Sequence, residues 1–227
     1  MDFATFFQEN QKREKADKIT RYHHLNRYVK KGQIVFAGSS LMEQFPIYEF
    51  LLDDQLPLTI YNRGIGGFTT SELLQALDAC IFELEPSHLF LNIGTNDLNG
   101  PDYDQNRLIS NYEKILQAVR QHLPQTKLYL LAYYPVNPNV TDIPYLKEVF
   151  RHRTNERIAA ASEGVQELAQ KYGAQFLNLN EGLADADGNL KAEFTIEGMH
   201  MYADGYRVVL RNLLPVLKQI SKSQRIL

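Results

Sequence analysis

Five short apolar-rich runs punctuate the chain: residues 34–37, 58–61, 89–93, 128–132 and 175–179. They do not alternate apolar with polar positions, which is the pattern of strands buried on both faces. Between them apolar residues recur at helical spacing. Leu73, Leu74, Leu77, Ile81 and Leu84 predict one helix, with Thr70 or Ser71 able to cap it. Leu108, Tyr112, Ile115, Leu116 and Val119 predict a second. A continuous stretch from about Lys147 to Lys171 predicts a third, and a last helix runs from about Ala203 to Ile220. Residues 1–30 are charged and aromatic (Phe3, Phe6, Phe7, Ile19, Tyr22, Leu25, Tyr28) and predict one or two helices packed on the rest of the domain. The alternation of strand and helix argues an α/β fold of three α/β/α layers around a five-stranded, mostly parallel sheet.

A chain of 227 residues is long enough for one full core and short for two, so residues 1–30 are expected to be an extension of a single domain at 31–227. The segment from Tyr134 to about Leu146 carries three prolines and is long for a strand-to-helix loop, a feature of loops that shape sites. A net charge of −3 gives no bulk attraction to nucleic acid or an anionic membrane. The single cysteine, Cys80, excludes an internal disulfide and has the apolar surroundings of a buried packing residue. The first residues lack the basic start and unbroken apolar stretch of a secretory signal, and no window approaches a membrane span, so a cytoplasmic location is expected.

Open parallel sheets place ligands at the carboxyl ends of their strands. Four polar segments follow predicted strands: Gly38-Ser39-Ser40-Leu41, Gly64-Ile65-Gly66-Gly67, Gly94-Thr95-Asn96-Asp97 and Glu197-Gly198-Met199-His200. All four should face one edge. Together they hold a hydroxyl nucleophile, a glycine permitting close backbone approach, a side-chain amide, and a histidine three residues from a carboxylate. Acyl transfer by a serine enzyme needs those parts. On one helical turn, residues 197 and 200 would be neighbours. Singly, each segment has a plainer explanation as a turn, a helix cap or an Asx loop.

The four segments, in this order and spacing, resemble the blocks of the SGNH hydrolases, the GDSL esterase/lipase family. The resemblance covers roughly residues 33 to 215 and includes the closing stretch Met201-Tyr202-Ala203-Asp204-Gly205-Tyr206. Within the family the chain is similar to the small intracellular branch of platelet-activating-factor acetylhydrolases. The resemblance implies Ser40 as nucleophile and His200 as base, oriented by Glu197. It implies an oxyanion hole from the Ser40 and Gly67 backbone amides and the Asn96 side chain, with Asp97 holding the Asn96 loop. Two positions depart from the family pattern. Ser39 stands where Asp is usual, which leaves two adjacent serines, and Glu197 stands where a shorter Asp is usual. Phe68, Leu98, Met199 and Tyr202 flank these positions and either line an acyl pocket or pack in the core.

The expected sheet is flavodoxin-like, but fold alone does not assign a flavin or any other ligand. Gly64-x-Gly66 ends in Thr69 and follows the second strand, so the dinucleotide fingerprint fails; no Walker loop or Gly-x-Ser-x-Gly elbow occurs. Glu197-x-x-His200 is half of a carboxylate–histidine metal motif without a second copy. No cofactor or metal is therefore expected. The reading is an ester hydrolase for small acylated substrates that works through an acyl-enzyme. An acyltransferase or a ligand-binding protein on the same fold is the alternative. The aromatic N-terminal helices either cover the domain or pack against a second copy in a homodimer.

Overall fold

The computed structural model describes residues 3–224. Its strands are β1 (Ile34–Gly38), β2 (Ile60–Gly64), β3 (His88–Asn92), β4 (Lys127–Leu131) and β5 (Gln175–Leu177). They form one sheet in the order β2-β1-β3-β4-β5, every neighbouring pair parallel. Parallel neighbours cannot be joined by a hairpin, so helices cross over between them. The helices are α1 (Phe3–Asn26), α2 (Ser40–Glu43), α3 (Ile47–Asp53), α4 (Thr70–Gln75), α5 (Leu77–Cys80), α6 (Gln105–His122), α7 (Pro144–His152), α8 (Asn155–Lys171) and α9 (Ala203–Gln224). This is the flavodoxin-like α/β/α arrangement. Winding reverses between β1 and β3, where the loops leaving those strands part and open a crevice.

Side-chain alternation sorts the core into two layers. Val35, Ala37, Leu89, Leu91, Leu128 and Leu130 face the apolar sides of α4, α5, α6 and α8. Ile34, Phe36, Ile60, Phe90, Tyr129 and Leu131 face α2, α3 and α9. β1 and β3 are buried along their whole length on both faces, which explains their unbroken apolar runs.

Three elements differ from the sequence pattern. β2 starts two residues later than its apolar run and contains Asn62 and the buried Arg63. Arg63 is tolerated there because its Nε donates to Asn26 Oδ1 at 2.9 Å, its Nη1 donates to the Asn62 carbonyl at 2.9 Å, and Tyr22 and Tyr61 face it. The helix expected over 73–84 is broken into α4, α5 and a 3₁₀ turn at Phe82–Leu84. Its cap is Thr69, not Thr70 or Ser71: Thr69 and Glu72 form a reciprocal capping box. The stretch 147–171 is two helices, interrupted at Arg153, with the Thr154 side chain accepting from the Arg157 amide to start the second.

α1 is a single helix, and it docks by only part of the expected apolar set. Phe6 and Leu25 are 59% and 49% exposed, and Tyr28, past the helix end, is 86% exposed. Ile19 and Tyr22 pack against the core. The contacts expected of Phe3 and Phe7 lie outside the described side chains. Cys80 is fully buried, and desolvation pushes its thiol up to about 12. Among the described residues no helix is long and apolar enough to cross a membrane.

His88 opens β3 in a buried position, and desolvation, aided by Lys127, lowers its pKa from 6.5 to about 4. The folded chain therefore holds a neutral imidazole that the unfolded chain protonates below 6.5, so stability is lost as pH falls from 6.5 towards 4. His88→Gln should lose less stability than wild type over that interval. Urea midpoints at pH 7.5 and 4.5 check this, and equal losses in the two proteins would rule it out.

Candidate active site

β1 ends at Gly38, and the chain turns at once into α2 with Ser40 as its first residue. Ser39 sits at the cap position, where its carbonyl accepts from the Met42 and Glu43 amides at 3.1 and 2.9 Å. The Tyr206 hydroxyl, arriving from α9, donates to the Leu41 carbonyl at 2.9 Å and pins this turn from behind. The two serines are thereby separated. Ser39 is buried, with an Oγ that has no hydrogen-bond partner among the described residues. Ser40 Oγ lies 2.8 Å from His200 Nε2.

The segment carrying His200 is an irregular turn, not the helical turn expected from the spacing of 197 and 200. Thr195 closes it: its hydroxyl donates to the His200 carbonyl and accepts from the Gly198 amide, both at 2.8 Å. Gly198 has φ +107°, and a Cβ there would fall 2.4 Å from the Asn137 carbonyl oxygen, so the turn requires glycine. Glu197 nevertheless meets the ring, its Oε1 hydrogen-bonded to His200 Nδ1. The longer carboxylate thus reaches the imidazole from a loop instead of a helix.

Sequence reasoning missed Arg153. It is buried at the end of α7, donates from Nη1 to Met199 Sδ at 3.3 Å, and interacts electrostatically with Glu197. Desolvation lowers its pKa to about 10, opposed by the Glu197 charge. Glu197 Oε2 and Arg153 Nε have no hydrogen-bond partner among the described residues, so attraction between the charges, without direct pairing, offsets only part of the cost of burial. Residue 153 is invisible in the sequence because it lies in an ordinary basic helix end.

The remaining segments complete the cleft. Gly67 has φ +75° and follows β2; Asn96 follows β3 in a short 3₁₀ turn, Thr95–Leu98. The backbone N–H groups of Ser40 and Gly67 have no acceptor among the described residues. Asn96 Nδ2 donates one hydrogen to the Phe68 carbonyl at 2.9 Å, and its Oδ1 accepts from Asn99 at 3.2 Å, which fixes the amide plane and leaves the second hydrogen for another acceptor. Asp97 bonds across to the next layer, accepting from the Thr70 amide at 2.9 Å and the Thr70 hydroxyl at 2.6 Å. Burial raises its pKa against those bonds. Ser40, Gly67, Asn96 and His200 line one cleft of about 680 Å³. Met199 lines it too, but Phe68 and Leu98 are fully buried in the core, and Tyr202 lies outside it. The apolar wall is instead Tyr145, Leu146 and Val149 of α7 with Met199. No group of His, Cys, Asp and Glu among the described residues is arranged to hold a metal.

A family model described as GDSL-like lipase/acylhydrolase matches residues 36–208. The chain belongs to that family. The chain is 29% identical over 194 residues to the platelet-activating factor acetylhydrolase IB subunit alpha1 of Bos taurus, covering 84% of this chain and 77% of that one. A solved Streptococcus pneumonia structure described as a platelet activating factor superposes with a TM-score of 0.83 at 32% identity, covering 94% and 97% of the two chains. The chain is also 24% identical over 226 residues to the N-acylneuraminate cytidylyltransferase of Escherichia coli O18:K1:H7. It spans 96% of itself there but only about half the length of that relative.

The adjacent serines offer a direct test. Ser39→Ala removes a buried hydroxyl that has no partner, so stability should stay level or rise by up to about 1 kcal/mol. A urea melt checks it; a loss of more than about 1 kcal/mol would show that the hydroxyl has a partner.

Proposed function

We propose that the protein is a serine ester hydrolase that cleaves small acyl esters through an acyl-enzyme. The observation that carries this reading is the 2.8 Å contact of Ser40 Oγ with His200 Nε2, backed by Glu197 on the other ring nitrogen. With Nδ1–H donating to the carboxylate, Nε2 is the basic nitrogen. It takes the Ser40 proton as Oγ bonds to the ester carbonyl carbon. The carbonyl π pair moves to oxygen, giving a tetrahedral oxyanion. Collapse breaks the bond to the alcohol oxygen, and His200 returns the proton to it. Water then repeats the sequence on the acyl-enzyme and releases the acid and Ser40.

The oxyanion needs donors fixed before charge develops. The two unengaged backbone amides, Ser40 and Gly67, and the remaining hydrogen of Asn96 Nδ2 are the groups suited to it. Asp97 is a positioning residue, holding the Asn96 loop to Thr70. The charge on Glu197, with Arg153 behind it, stabilises the imidazolium that forms during each proton transfer.

The cleft indicates the substrate class. Its apolar lining is small, and much of the rest is polar, with Gln11 and Glu14 from α1 and Gln44, Glu72 and Asn99. This composition suits a short acyl group, such as acetyl, esterified to a polar alcohol.

Hydrolysis of p-nitrophenyl acetate, butyrate and octanoate should be fastest for acetate and should fall at least about 10³-fold in Ser40→Ala. Full activity in that variant would overturn the nucleophile assignment. Glu197→Gln should lower kcat by about 10²–10⁴-fold with the fold retained by circular dichroism. An unchanged kcat would reduce the site to a Ser–His pair. Adding a polar alcohol separates hydrolysis from transfer: constant p-nitrophenol release with new ester formed would favour the transferase.

A further inference from the structure

α1 lies outside the matched family span, yet four of its residues are bonded along the loop that carries Gly67. Lys15, Lys18, Tyr22 and Asn26 are spaced three, four and four apart, so they form one stripe. Asn26 Oδ1 accepts from Arg63 Nε at 2.9 Å, and the Tyr22 hydroxyl donates to the Gly64 carbonyl at 2.7 Å. Lys18 Nζ pairs with Glu43 Oε1 at 2.5 Å, while Glu43 Oε2 accepts from the Gly66 amide at 2.7 Å. Lys15 Nζ donates to the Gly67 carbonyl at 2.9 Å and to Glu72 Oε1 at 2.7 Å. The stripe runs along the end of β2 and the turn that follows it, which the Phe68 amide closes by donating to the Ile65 carbonyl at 3.2 Å.

The consequence falls on one peptide plane. The unengaged Gly67 N–H belongs to the peptide between Gly66 and Gly67, and two successive glycines have the freest backbone available to a chain. The plane before it is held through the Gly66 amide by Glu43 and Lys18. The plane after it is held through the Gly67 carbonyl by Lys15. The next carbonyl, Phe68, accepts from Asn96 and so ties this loop to the second donor. With both neighbouring planes anchored, the plane between them has little freedom to turn its N–H out of the cleft.

We infer that α1 is part of the catalytic apparatus: Lys15, together with Lys18 acting through Glu43, is a positioning residue that orients the Gly67 amide towards the oxyanion. This inference rests on the hydrolase reading for its kinetic consequence but not for its structural one. Lys15 lines the cleft, but its ammonium is engaged by Glu72 and the Gly67 carbonyl, so it serves the loop before the ester.

The test uses Lys15→Met, Lys18→Met and, as a control on an exposed part of the same helix, Arg21→Met. For p-nitrophenyl acetate, Lys15→Met should lower kcat by about 10-fold or more with KM within about twofold, since a misaligned donor costs only transition-state binding. Lys18→Met should do the same more weakly, and Arg21→Met should match wild type. Peptide-resolved hydrogen exchange should show faster exchange at residues 64–68 in the two stripe variants, at unchanged melting temperature. A raised KM at unchanged kcat would assign Lys15 to substrate binding and overturn the inference, as would unaltered exchange at 64–68. Inactive wild type with accelerated exchange in Lys15→Met would sink the hydrolase reading while upholding the hold of α1 on the loop.

Discussion

Every feature of the cleft depends on the parallel direction of the sheet. A strand that must run alongside its neighbour in the same sense cannot turn straight back, so each connection leaves from the same edge and returns by a helix. Ser40, Gly67 and Asn96 come from separate parts of the chain but leave β1, β2 and β3 at that common edge. His200 is brought to it by the loop into α9, which Tyr206 ties to the Ser40 turn. The cleft is therefore a by-product of strand direction, and the reversal of winding between β1 and β3 gives it room.

What the chain then has to solve is electrostatic. Glu43 and Glu72 line the crevice, Asp97 and Glu197 stand behind it, and each has a counterpart: backbone amides, Lys15, Lys18, Thr70, His200 or the buried Arg153. The two lysine pairs, partly open to solvent, add little stability as ion pairs. Their effect is orientation, because a carboxylate that accepts from a backbone amide fixes the peptide it touches. Lys15, Glu43, Glu72, Asn96 and Asp97 each hold a backbone group beside the cleft.

The strands, the parallel sheet and the four polar segments were legible in the sequence because they rest on local pattern. Apolar runs report burial on both faces, and a Gly-rich or Asn-Asp segment after such a run reports a loop at the carboxyl edge. The features that escaped rest on distant partners. Arg63 hides β2 because what makes its burial tolerable, the Asn26 amide and the Tyr22 ring, comes from α1, far along the chain. Arg153 breaks α7 from α8 at a point where helical spacing continues. The docking stripe of α1 is largely polar, so apolar periodicity picked out Ile19 and Tyr22, which do dock, together with Phe6, Leu25 and Tyr28, which face solvent. Phe68 and Leu98 flank the site in sequence but lie in the core cluster beneath it.

The exact register of β1 has a bearing on inheritance. Its five residues serve two layers by turns, and its last peptide leads straight into Ser40. An inserted or deleted residue there would exchange the side chains offered to α6 and α9 and swing the hydroxyl away from His200 in the same stroke. Length in this strand is thus far less free to drift than composition, and lineages descended from this chain should vary in the size of the surface turns, such as the stretch around Gly100, while keeping the distance from Ile34 to Ser40 unchanged.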